Sequence, residues 1–178
     1  TILFLAGINC VGVIFGGIIQ NIFTIAKLFA IFIIIVLAFT VSNGSFSHFT
    51  TASTHSYSII QLIGAMGLAL SGAFWAYDGW NSITFISCEI KQPEKNIPKA
   101  LILGTLTVVI VYVLTNMAYI YVLPIDSIAS SKLVASDVAS QCIGWYGGAF
   151  VAIAVMVSTF GATNGTSMAS ARVYYAKA

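Results

Sequence analysis

Four stretches of this 178-residue chain carry residue types that could do chemistry. Lys27 lies within Phe23-Thr24-Ile25-Ala26-Lys27-Leu28-Phe29 and is the only Asp, Glu, Lys or Arg among the first 77 residues. An ammonium set in so apolar a run either snorkels back to a membrane interface or faces other protein, where it can replace a bound cation. Phe74-Trp75-Ala76-Tyr77-Asp78-Gly79-Trp80-Asn81 places an acid, a glycine and several aromatics inside a second hydrophobic run. A carboxylate at the centre of an unbroken membrane helix is costly, whereas an unwound stretch makes sense of it. Broken helices expose backbone amides and carbonyls, and transporters use such breaks to hold substrate and ions. The competing reading is an interfacial aromatic belt with Asp78 capping the next helix; the apolar run Ile59–Ala73 before it argues for the break.

The third stretch is Glu89-Ile90-Lys91-Gln92-Pro93-Glu94-Lys95-Asn96-Ile97-Pro98-Lys99. Its two prolines predict a charged link that is not one straight helix, serving as a solvated loop or as a coupler between helices. The fourth is Ser158-Thr159-Phe160-Gly161-Ala162-Thr163-Asn164-Gly165-Thr166, whose small polar residues line a pathway or pack helices together, packing being the commoner use. Asn43-Gly44-Ser45 and Asn164-Gly165-Thr166 match the glycosylation sequon, the second inside an apolar helix.

Other chemistries lack their residues. Cys10, Cys88 and Cys142 make no CxxC pair and read as buried thiols, so no metal or disulfide framework is expected. There is no HExxH, no GxSxG and no pair of membrane aspartates, and His48 and His55 share one polar linker. The chain is expected not to be an enzyme and to need no cofactor. A net charge of +2, spread thinly, points away from nucleic acid.

The elements that must position these residues follow from composition. The chain is 59% hydrophobic and 7% charged, against roughly 25% charged in a soluble domain, which excludes a water-facing globule. Uncharged runs over 100–125 and 138–171 are long enough for membrane helices. The fold class is therefore an all-α integral membrane protein, with 1–178 forming a single transmembrane domain fragment. Helices are predicted at about 1–14 (stopped by Gly16-Gly17), 21–41, 59–88 (broken near 75–80), 99–123 and 144–175. Ser42–Ser58 and Pro124–Gln141 read as polar connections, the latter holding short interfacial helices. Lys91, Lys95 and Lys99 mark the cytoplasmic side, while Ser42–Ser58 has no Lys or Arg and reads as outer. The chain opens inside an apolar run without an initiator Met, and is expected to be an internal piece of a longer polytopic protein in the cell membrane.

The residues resemble a family. Trp75-Ala76-Tyr77-Asp78-Gly79-Trp80-Asn81 and Cys88-Glu89-Ile90-Lys91-Gln92-Pro93-Glu94-Lys95-Asn96-Ile97-Pro98 are similar to the sixth helix and following loop of L-type amino acid transporters. These belong to the amino acid–polyamine–organocation superfamily. The likeness extends through Tyr112–Tyr119 in the seventh helix, Ser158–Gly165 and Ser170-Ala171-Arg172 in the eighth, and Asn9-Cys10 and Ala26-Lys27-Leu28 in the fourth and fifth. Ala-Tyr-Asp-Gly-Trp is similar to the form in bacterial serine/threonine exchangers, many animal transporters having glycine in place of Asp78.

The resemblance implies a twelve-helix fold of two inverted five-helix repeats, of which this chain holds the end of helix 4 through helix 8. It implies that Trp75, Ala76, Tyr77 and Asp78 line the substrate at the helix 6 break, with Trp75 at an aromatic gate. It also implies that Lys27 occupies the place of the sodium ion of sodium-coupled relatives, with Ser158, Thr159 and Asn164 as its neighbours. The function so implied is sodium-independent amino acid antiport by alternating access. Proton-coupled symport and a transport-inactive sensor or structural subunit are the alternatives. The partners are the amino acid and the lipid bilayer; a single-span accessory subunit stays open, bacterial relatives doing without one.

Overall fold

A computed structural model describes residues 7, 13–50 and 58–177, without the side chains of 13, 14, 86, 88, 89, 168 and 172–177. Most of the helix expected at about 1–14, including Asn9 and Cys10, and His55 in the linker lie outside the described residues, as do the side chains of Cys88, Glu89, Arg172 and Lys177. The described residues are all-helical. In chain order they form α1 (Val13–Thr40), a 3-10 turn (Phe46–Phe49), α2 (Ile59–Ala76), a 3-10 helix (Trp80–Glu89), α3 (Pro93–Val122), α4 (Ile125–Ser130), α5 (Val134–Ile143) and α6 (Tyr146–Lys177). Among the described residues four spans are long and apolar enough to cross a membrane: Phe15–Thr40, Ile59–Phe85, Pro93–Val122 and Tyr146–Ala171.

Two boundaries differ from expectation. Gly16-Gly17 does not end a helix, because α1 runs unbroken from Val13 to Thr40. Glycine weakens a helix only modestly, and here Gly16 is buried where a second helix packs against it. Nor does helix wait until after Pro98, since α3 begins at Pro93 with Pro98 inside it. A proline in the first helical turn forfeits nothing, as its amide would have no intrahelical partner. Pro98 forfeits one bond, near a start already fixed by Gln92 at φ +50° and by Lys95 and Asn96 amides donating to the Gln92 carbonyl (3.1 and 3.0 Å).

The chain divides into two compact units, one formed by the described residues of 1–51 and 107–178 and the other by those of 52–106. In the first unit α1 packs along α6, and α5 packs on both. Ile34, Leu123, Val138, Ala139 and Val151 make its small core. Gly147 lets α5 and α6 close, because a Cβ there would drive into the Ala139 carbonyl and the Ser140 amide. The turn Phe46–Phe49 seals the end of α3. Ser45 N–H donates to the Tyr121 carbonyl (3.0 Å), and His48 Nδ1 lies 3.1 Å from both the Ile120 and Tyr121 carbonyls, which fits a donor at a helix end lacking partners. Gly44 sits against the same residue, where a Cβ would come within 2.6 Å of the Tyr121 carbonyl.

In the second unit α2 starts from a capping box. Gln61 N–H donates to Ser58 Oγ (3.4 Å), and Ser58 N–H donates back to Gln61 Oε1 (3.0 Å). No residue of α2 is buried. An apolar helix with no buried face is built for lipid or for further apolar helices, not for water.

Candidate functional site

Two places bear the chemistry, one in each unit. In the first, helix geometry fixes where Lys27 lies. At about 100° per residue, Gly16, Gln20, Phe23, Lys27, Ile34 and Ala38 form one stripe of α1. Gly16, Ile34 and Ala38 are buried, and Gln20, Phe23 and Lys27 partly so. The opposite face carries Ile22, Ile25, Phe29 and Phe32, each about 60% exposed or more. Lys27 is thus on the packed face of α1 and not on its bare apolar face. Among the described residues its ammonium makes no hydrogen bond or ion pair.

The facing stripe belongs to α6, and the two helices run antiparallel. Phe23 and Phe160 meet as a tilted aromatic pair, with ring centroids 5.1 Å apart and planes at 50°. A Cβ at Gly161 would lie 2.7 Å from Phe23 Cβ, so glycine there permits the close approach. Asn164 is wholly buried, its Nδ2 donating to Gln20 Oε1 (3.2 Å) and to the Gly16 carbonyl (3.4 Å). Farther along, Ile34 and Val151 share the core. Between the Phe23/Gly161 and Ile34/Val151 levels, the register brings Lys27 level with Val157 and Ser158 of α6, all three partly buried.

The expected neighbours of Lys27 therefore separate. Ser158 shares its level. Thr159 points away, exposed, with its hydroxyl donating to the Val155 carbonyl (2.8 Å). Asn164 is about two turns off, engaged with Gly16 and Gln20, and its burial also closes the Asn164-Gly165-Thr166 sequon. Gln20 was not singled out from the sequence, and Phe23 and Gly16 were not read there as contacts of the facing helix. Their signal was present as positions four and seven before Lys27 on the same helical stripe, and a further turn back.

The second place is the end of α2. Its last regular bonds include Tyr77 N–H to the Ala73 carbonyl (3.0 Å) and, tightening, Asp78 N–H to the Trp75 carbonyl (3.3 Å). The chain then turns through Gly79 at φ +104°, a left-handed backbone that disfavours any side chain. A Cβ there would meet nothing within 4 Å, so the demand for glycine is conformational and not spatial. Beyond it runs a ten-residue 3-10 helix, Trp80–Glu89. Such helices rarely exceed three or four residues, and long ones mark strain or a hinge. Gly79 takes the cap position with no side-chain hydrogen bond, so Asp78 does not cap this helix. Asp78 is exposed, and Trp75 projects at 84% exposure, with Phe74 and Trp80 also largely exposed. Trp75, Ala76, Tyr77 and Asp78 thus stand together at an interrupted helix, each exposed. Among the described residues no cluster of His, Cys, Asp or Glu could hold a metal.

The amino acid permease family model matches residues 1–178. The human b(0,+)-type amino acid transporter 1 is 35% identical over 179 residues, covering 98% of this chain and 35% of that protein. The serine/threonine exchanger SteT of Bacillus subtilis (strain 168) is 34% identical over 178 residues, covering 99% and 39%. The mouse large neutral amino acids transporter small subunit 2 is 31% identical over 183 residues, covering 99% and 33%. The chain spans about a third of the length of these curated relatives.

Proposed function

The chain belongs to the amino acid permease family, and from that premise we propose that the full-length protein is a sodium-independent amino acid antiporter working by alternating access. It is a multi-pass membrane protein and not an enzyme. The whole fold on this reading has twelve helices in two inverted repeats, α1, α2 with its 3-10 continuation, α3 and α6 being the fifth to eighth, and 1–178 forming one part of a single transmembrane domain. Lys91, Lys95 and Lys99 face the cytoplasm.

The observation that carries the proposal is the position of Lys27 at the centre of the packed face of α1. A snorkelling lysine has no reason to share a stripe with buried Gly16, Ile34 and Ala38, whereas a tethered cation that organises neighbouring helices does. Its ammonium fills the role of a bound sodium ion, with Ser158 at its level on the facing helix. The interrupted helix supplies the substrate half-site: backbone at Trp75, Ala76 and Tyr77 receives the substrate's α-amino group, and Asp78 adds negative charge beside it. Trp75 covers the substrate as an aromatic gate. The named activities of the relatives, two amino acid transporters and a serine/threonine exchanger, support the substrate class.

Exchange demands that the empty carrier reorient slowly. Full-length protein in proteoliposomes should take up labelled amino acid only when vesicles contain unlabelled amino acid, with or without sodium. Uptake into empty vesicles driven by a pH gradient would replace this reading with proton-coupled symport. Binding without flux would replace it with a sensor.

A further inference from the structure

We propose that Gln20 and Asn164 are positioning residues for Lys27: their hydrogen bond sets the axial register of α1 on α6, and so the level at which the ammonium meets Ser158. The inference rests on the role of Lys27 given above. Asn164 is the one polar side chain among the buried residues of the described chain, with no exposed surface. Leaving a buried amide unpaired is expensive, so Asn164 tolerates only registers that present it with an acceptor. Two acceptors one turn apart on α1, the Gly16 carbonyl (3.4 Å) and Gln20 Oε1 (3.2 Å), meet it here.

The apolar contacts nearby are less selective. Phe23 rests against Gly161 and meets Phe160 as a tilted pair, and a ring over a glycine can slide by part of a turn without losing much area. Gly165 extends the same seam, where a Cβ would lie 3.2 Å from Gln20 Nε2. Smooth helix seams made of small residues allow sliding, and a single buried polar pair is the best-attested device for fixing register. A slip of one residue would move the Lys27 ammonium about 1.5 Å along α6 and turn it by about 100°. Either displacement takes it from Ser158.

The test uses the full-length protein with Cys10, Cys88 and Cys142 replaced by alanine, and reads register and exchange separately. Register is read by cross-linking Phe23→Cys to Phe160→Cys with a short bifunctional thiol reagent, an assay that does not depend on transport. Exchange is read in the same background without these two substitutions. Asn164→Leu, which keeps the volume, should lower the cross-link yield severalfold and raise the KM for exchange about tenfold, the scale of one buried hydrogen bond. The swap Gln20→Asn with Asn164→Gln keeps the pair and the total side-chain length. It should restore both readouts to within about twofold. The proposal is overturned if Asn164→Leu leaves the cross-link unchanged, or if the cross-link falls while KM stays as it was. A parent protein that exchanges no amino acid would sink the transport reading instead, while the cross-link still reports on register.

Discussion

A lysine on a packed membrane-helix face carries a desolvation cost that something must offset, and removing its charge separates the two roles open to it. Lys27→Met retains most of the volume. If the ammonium organises the carrier, exchange in proteoliposomes should fall about tenfold or more, the scale of losing one partly buried electrostatic interaction, with membrane protein levels little changed. A snorkelling lysine would leave the exchange rate intact. Cys142 gives an independent check on α5, where burial pushes its thiol above the ordinary value. A raised pKa means less thiolate at neutral pH, so maleimide should label Cys142 several times more slowly than a free cysteine at pH 7. The difference should close as pH rises beyond the thiol's own pKa. Mass spectrometry of the labelled protein reads both. Lys27 was legible in the sequence because one charge among so many apolar residues has few explanations. The Gln20–Asn164 bond was not, because it joins positions 144 residues apart and depends on a helix register that no local pattern encodes.

Elements in this chain end where backbone conformation forbids continuation more than where composition changes. Gly79 interrupts its helix through a positive φ, whereas Gly16-Gly17 interrupts nothing, its backbone staying helical with the Gly16 carbonyl accepting from Asn164. The sequence marks both as glycine, and only the backbone conformation distinguishes them. Pro98 misled for a related reason: its missing bond lies so close to the helix start that one loss is tolerated. Two substitutions separate the conformational demand from the steric one. At Gly79 the order of cost should be Asn, then Ala, then Val, with Ala costing about 1–2 kcal/mol, because Asn enters the left-handed region most readily. At Gly147 the obstacle is the α5 backbone, so Ala should cost about 1–3 kcal/mol and Asn should be no better. Thermal melting of the purified full-length variants ranks them.

Across the whole molecule the legible part was the class, an all-helical chain with membrane-length apolar spans, since it follows from where charge is absent. Sidedness rests on three lysines and is directly testable. Cysteines placed at Lys95 and at Ser47, both exposed, should be labelled by a membrane-impermeant reagent from opposite sides of the membrane, Ser47 from outside. Labelling of both from one side would invert or abolish the proposed topology. The seal on the end of α3 has a mechanical consequence. His48, Ser45 and Gly44 fasten Ile120 and Tyr121, while the other end of α3 begins at a left-handed Gln92 and carries a proline at its sixth residue. With its last carbonyls so held, the final turn of α3 can fray only when the Phe46–Phe49 turn lets go, so that turn and the helix end open and close together.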